Sequence, residues 1–184
     1  MSDQKRVFLV DAFALIFRGY YAFIKNPRIN SKGLDTSAIM GFMNSLLDVI
    51  KRERPDHLAV CFDKGGSVDR VEMFEAYKAN RDETPEAIKI AVPYIQEILK
   101  AMHIPIMVKE GFEADDVIAT YSVQEKGPIR IVTGDRDLFQ LVDDQRDVAV
   151  AYLAKGISNH DLVDLRWIAE KYQIPGERYA LFAM

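Results

Sequence analysis

Seven carboxylates in this sequence stand where they could hold hard cations. Three of them fall within four positions, Glu113-Ala114-Asp115-Asp116, directly ahead of the apolar residues Val117, Ile118 and Tyr121. With Ala114 those residues form one stripe of a 3.6-residue period, so the acids open a helix that packs against something. Acids in a first helical turn are ordinary, because they complement the macrodipole by roughly 0.3–1 kcal/mol each. Three so close repel one another unless a cation stands among them. Both readings stay open from this stretch alone. If all three acids were helical they would point in different directions. They converge only if Glu113 lies in the loop before the first turn.

The other four acids follow short apolar runs. Val7-Phe8-Leu9-Val10 ends on Asp11, and Leu58-Ala59-Val60-Cys61-Phe62 ends on Asp63. Ile129–Val132 leads into Thr133-Gly134-Asp135-Arg136-Asp137. Such runs read as buried strands, and in an open parallel sheet the carboxyl ends of the strands share one edge, where ligands bind. Topology then gathers Asp11, Asp63, Glu113, Asp115, Asp116, Asp135 and Asp137. An oxygen-only set with no His or Cys beside it suits Mg²⁺ or Mn²⁺ and argues against zinc. Two such ions roughly 3.5–4 Å apart form a clamp for phosphodiester hydrolysis. The competing reading of each strand-end Asp is an N-cap of the next helix, and Asp135 and Asp137 could cap a short helix, Leu138–Val142.

Just after Asp63 the composition changes. Arg70, Lys78 and Arg81 interleave with Phe74 and Tyr77. This pattern contacts phosphates and bases, or is an ordinary solvated face; the residues alone leave both open. The net charge of −4 argues globally against a nucleic-acid binder, but two bound divalent cations would bring it to zero. His57, His103 and His160 are scattered, and no Ser-His-Asp or Cys-His arrangement is visible. The lone cysteine, Cys61, reads as a buried free thiol of a reducing compartment. No apolar run approaches ~18 residues, and the start is too short for a secretory signal. A cytoplasmic protein without a membrane partner is expected.

The elements that must position these groups alternate strand and helix over 184 residues, enough for one α/β domain with a mainly parallel central sheet flanked by helices. Strands are expected at Arg6–Val10, His57–Phe62, Ile104–Val108, Ile129–Val132 and Val148–Leu153. Helices are expected at Ala12–Phe23 and, capped by Thr36, at Ser37–Arg54. Thr84 should cap a helix with Pro85 at its first position, running to Met102 and kinked or divided by Pro93. Ser158 or Asn159 should cap a helix ending near Tyr172. Pro175-Gly176 breaks it before a last helix, Glu177–Met184.

Taken in order, these pieces resemble the 5′→3′ exonuclease domain of bacterial DNA polymerase I and its free-standing relatives, the flap endonuclease family with a PIN-like, resolvase-like fold. The resemblance rests on Val10-Asp11 followed by Arg18 and Tyr20, and on Phe62-Asp63-Lys64. It continues through Arg70 with Phe74-Glu75-Ala76-Tyr77-Lys78-Ala79-Asn80-Arg81, then Glu113-Ala114-Asp115-Asp116-Val117-Ile118, and finally Thr133-Gly134-Asp135-Arg136-Asp137-Leu138-Phe139-Gln140-Leu141-Val142. It implies that Asp11, Asp63, Glu113, Asp115 and Asp116 serve one Mg²⁺ or Mn²⁺ and that Asp135 and Asp137 help hold a second. Lys78 and Arg81 would face the scissile phosphate. Arg18, Tyr20, Arg70, Phe74 and Tyr77 would contact the DNA strand. The implied substrate is DNA with a 5′ end or flap, or an RNA primer strand.

The resemblance also implies a further acid pair and a helix–hairpin–helix region beyond Met184, so a single domain without that region, with an incomplete second metal site and slow turnover, is expected. The first ~120 residues resemble the polymerase-fused type and Val132 onward the free-standing type, which would place a join at Gln124–Pro128. The rival readings are a metal- and DNA-binding module with little turnover and another acid-rich metal-dependent phosphoesterase.

Overall fold

The computed structural model describes residues 5–63, 84–155 and 159–183. The chain forms β1 (Val7–Asp11), α1 (Ala12–Ala22), α2 (Ser37–Glu53), β2 (His57–Cys61), α3 (Glu86–Ala101), β3 (Ile106–Met107) and α4 (Ala114–Gln124). It continues with β4 (Ile129–Thr133), a 3₁₀ turn at Asp137–Leu141, β5 (Val148–Lys155), β6 (Asn159–Val163), α5 (Leu165–Tyr172) and α6 (Tyr179–Ala183). The strand order is β3-β2-β1-β4-β5-β6, parallel throughout except for antiparallel β6.

This order places a topological switch point between β1 and β4. The chain builds outward from β1 through β2 to β3, then returns to the other side of β1 to add β4. In open α/β sheets the crevice beyond the carboxyl ends at such a point is the natural ligand site. Asp11 ends one of the two strands, and Thr133 ends the other.

The sheet is buried on both faces, which is why its central strands read as unbroken apolar runs rather than as alternations. Along β1, Phe8 and Val10 enter the layer formed with α1, α2 and α3, while Leu9 enters the opposite layer with α4 and α5. Helices α1 and α2 cross at Gly19 and Gly41. A Cβ on Gly19 would stand 2.8 Å from the Cα of Gly41, and one on Gly41 would stand 2.2 Å from the Cα of Gly19. Only the missing side chains allow this approach, and it seats α1 with its N-terminus at the switch point.

Several expectations change. Asn159–Val163 is an edge strand, not a helix start; Asp164 caps α5 instead, its Oδ1 accepting from the Trp167 N–H at 2.7 Å. Val163 is fully buried while Asp161 and Leu162 are exposed, so the segment carries too little apolar signal to read as a strand. Pro93 does not divide α3. It lies on the solvent face, where water can replace the main-chain donor that proline lacks. Pro85, rather than Thr84, is the cap residue of that helix. Thr36 does precede α2, but its hydroxyl donates to the Arg28 carbonyl at 2.7 Å, and Asp35 Oδ1 accepts from the Ser37 N–H at 2.9 Å.

Candidate metal centre

Four acids of the switch-point crevice, Asp11, Asp63, Glu113 and Asp135, are set by bonds from main-chain N–H groups. Asp11 caps α1, its Oδ1 accepting from the Ala14 N–H at 3.1 Å. Its Oδ2 accepts from the Thr133 hydroxyl at 2.8 Å, a bond that spans the switch point between β1 and β4. Asp63, two residues past β2, caps a helix remote in sequence: its Oδ1 accepts from the Ala114 N–H at the start of α4, at 2.6 Å. Gly111 turns the chain into that helix with φ 81°, a left-handed conformation that favours glycine. Glu113 follows in extended conformation as the N-cap, and it forms a reciprocal capping box with Asp116, whose Oδ2 accepts from the Glu113 N–H at 3.0 Å. Glu113 thus lies before the first turn, the one placement that allows convergence. Asp135 donates its N–H to the Thr133 hydroxyl at 2.9 Å, and its Oδ1 accepts from the Asp137 N–H at 2.9 Å.

Asp11, Asp63, Glu113, Asp115 and Asp135 line one cleft of ≈ 570 Å³, together with Arg18 and the apolar wall of Phe13, Phe17 and Leu153. Asp116 lines a different cavity with Phe112 and Thr120, and Asp137 opens the 3₁₀ turn without lining the cleft. Five of the seven acids are therefore brought together here. Among the described residues, no three of them stand close enough to grip one ion together. Asp11, Asp63 and Asp135 each have their Oδ1 taken up by a main-chain N–H.

The ionisation of the acids reports the crowding. Burial pushes the Asp11 carboxyl up to about 6, with Asp63 and Asp135 adding to the rise and the bonds from Thr133 and Ala14 opposing it. Asp115 is pushed up to about 7, first by burial, then by Asp11, Asp135, Asp63 and Glu113. Cys61, buried beneath them, is raised to about 12, by burial first and then by Asp11 and Asp115. It stays a thiol, and thiols do not ligate as thiolates do. The donor set facing the cleft is thus all oxygen, which fits a hard divalent cation.

Arg18 reaches the cleft from α1 and donates from Nη1 to the Leu153 carbonyl; its Nε and Nη2 are buried and have no hydrogen-bond partner among the described residues. Tyr20 lies further along α1, packed in the apolar layer and edge-on to Tyr21, and does not line the cleft. Arg70, Phe74, Tyr77, Lys78 and Arg81 lie outside the described residues. Thr133 was not foreseen. A hydroxyl at a strand end carries no distinctive signal, yet it joins Asp11 to Asp135.

A doubly wound α/β sheet with an acid-lined crevice at its switch point defines the class, a resolvase-like domain. The family model described as "5'-3' exonuclease, N-terminal resolvase-like domain" matches residues 6–173, and the chain belongs to that family. It is similar to a 5′-3′ exonuclease of Streptomyces coelicolor, 38% identical over 191 residues, covering 96% of this chain and 62% of that protein. It is also similar to DNA polymerase I of Synechocystis, 38% identical over 167 residues, covering 86% of this chain and 17% of that protein. The chain therefore spans about three fifths of the first relative and under a fifth of the second. Among solved structures, T5 5′-exonuclease with zinc ions bound superposes with TM-score 0.67 at 20% identity, over 93% of this chain and 62% of that one. The catalytic core of Rad2 in complex with DNA substrate gives 0.57 at 21% identity, over 96% and 51%. At these identities the structural likeness establishes the fold.

Proposed function

We propose that the chain is the nuclease domain of a divalent-metal-dependent 5′-3′ exonuclease or flap endonuclease, cytoplasmic, acting on DNA with a 5′ end or flap. RNA primer strands fall within the same chemistry. The carrying observation is the single cleft lined by five carboxylates, in which the ionisation of Asp115 feels the other four. Family membership and the relatives named as nucleases and polymerases support it.

Asp11, Asp63, Glu113 and Asp115, with Asp116 next to them in sequence, would hold one Mg²⁺ or Mn²⁺, and Asp135, with Asp137 two positions on, would serve a second ion. Bound there, such ions supply an activated water and neutralise charge on the phosphodiester. The chain's own part is orientation and charge. Thr133 fixes the Asp11 carboxylate, and the capping box of Glu113 and Asp116 fixes the first turn that aims Asp115. Arg18 places a positive charge at the cleft wall, as Lys78 and Arg81 would from outside the described residues. Phe13 and Phe17 offer an apolar wall that sheds water from one side.

The test is single-turnover cleavage of a 5′-flap DNA in Mn²⁺ against a small phosphoester. Flap cleavage abolished by EDTA and by Asp115→Asn supports the reading. Hydrolysis of the small ester alone would sink it in favour of a phosphoesterase. Metal-dependent DNA binding without cleavage would instead support a binding module.

A further inference from the structure

Two consecutive residues at the carboxyl end of β5 each hold an arginine. The carbonyl of Leu153 accepts from Arg18 Nη1, and the hydroxyl of Tyr152 accepts from Arg136 Nε at 3.1 Å. Tyr152 stands opposite Thr133 in the sheet register, beside the cleft. Arg136 follows Asp135, a cleft-lining residue, and its guanidinium carbon lies 5.9 Å from the centre of the Tyr152 ring. The ring itself is buried and packs edge-on against Phe139 at 5.0 Å, so the anchor is fixed by the core.

An exposed arginine between two aspartates would ordinarily pair with one of them. Arg136 forms no ion pair among the described residues and bonds the phenol instead. That bond uses Nε alone. The Nη1–Nη2 edge of the fork, which matches two oxygens of a phosphate, makes no hydrogen bond or ion pair among the described residues. Ordering the long side chain costs rotamer freedom, and here the cost is met before any ligand arrives. A solvated face does not require such an anchor. A strand whose scissile phosphate lies among five carboxylates needs cations for its neighbouring phosphates, or their repulsion from the acids opposes binding.

We propose that Arg136, positioned by Tyr152, is a phosphate-binding residue that grips the nucleic-acid backbone at the rim of the acid cleft, next to the scissile position. This rests on the nuclease reading above. With Arg18 on the inner wall, β5 then anchors two guanidinium groups beside the acid cleft.

The experiment uses the full chain and two 5′-flap DNAs of unrelated sequence. Binding is followed by fluorescence anisotropy over a range of KCl concentrations in Ca²⁺, and cleavage by the parent is checked separately in Mn²⁺. R136A should weaken both DNAs equally, roughly tenfold. The slope of log K against log salt should fall by about 0.7–0.9, one phosphate contact. R136K should keep the slope but recover only part of the affinity, because it keeps the charge and loses the fork. Tyr152→Phe should likewise keep the slope and lose affinity, since only the positioning bond is gone. A parent that binds and cleaves, alongside an R136A variant with the parent's affinity and slope, overturns the proposal and leaves the nuclease reading intact. Weakening confined to one of the two sequences overturns it as well, because a phosphate contact carries no sequence information. A parent that binds neither DNA overturns both.

Discussion

Asp115 carries the electrostatic cost of the crevice. Its carboxyl is raised from 3.8 to about 7, and Asp11 from 3.8 to about 6. The folded protein therefore binds these protons more tightly than the unfolded chain does. The stability they confer is fully present below about pH 4 and is lost as pH rises through about 6 and then 7. Removing the Asp115 charge should reverse that loss. In the absence of metal, Asp115→Asn should melt higher than the parent at pH 7.5, with the difference shrinking toward pH 4. Millimolar Mn²⁺ should raise the parent's melting temperature by mass action and raise the variant's much less. A pH series of thermal melts with and without Mn²⁺ decides it; a variant that tracks the parent at every pH refutes the crowding. Thr133→Val tests the bridge. It leaves Asp11 and the Asp135 N–H without their buried hydroxyl partner and should cost about 1–3 kcal/mol in urea unfolding, with an unchanged m-value. The acids were legible in the sequence because a carboxylate at a strand end has few uses. Thr133 was not, because a hydroxyl there has many. Cap and ligand, weighed as alternatives for Asp11 and Asp63, are both compatible with what is seen, since a carboxylate offers about four lone-pair sites and a cap occupies one.

Helix α1 matters through its far end as well as its start. Gly19 and Gly41 let α1 and α2 meet backbone to backbone, and α1 carries both the Asp11 cap and Arg18. Gly19→Ala should force the helices apart and cost roughly 1–3 kcal/mol, the usual range for overpacking. Because the shift moves the cap, the Mn²⁺-induced rise in melting temperature should shrink too; calorimetry with and without Mn²⁺ reads both. An Ala variant as stable as the parent would show that the crossing has slack. Most helices and the central strands were readable from period and caps, because burial on two faces writes a continuous apolar run. The edges were not. β3 keeps two residues of the five expected, and β6 hides in a polar segment in which Val163 is buried and Asp161 and Leu162 are exposed. Pairing with β5, a tertiary fact, makes it a strand. The cap that Asp63 supplies to α4 was equally invisible, since 51 positions separate donor and acceptor.

Across the whole molecule, charge is distributed against its average. The net charge is −4, yet five acids are drawn into one cleft, with arginines at its wall and rim. No helix among the described residues is long and apolar enough to cross a membrane. The switch point followed from strand–helix alternation only in outline: the sequence implies a parallel sheet, but not that β1 stands between β2 and β4. That position divides the cleft between two lengths of chain. Asp11, Asp63, Glu113 and Asp115 precede the exposed turn at Glu125–Lys126, and Gly134, Asp135 and Leu153 follow it. Arg146, from the later length, reaches back to the carbonyls of Ser122 and Val123 in the last turn of α4 and of Glu125 just after it. The crevice can therefore report whether the two lengths are together. Produced as separate polypeptides parted in that turn, neither should gain thermal stability from Mn²⁺. Mixed, they should recover it in step with their association, which makes the acid cleft a gauge of fragment complementation.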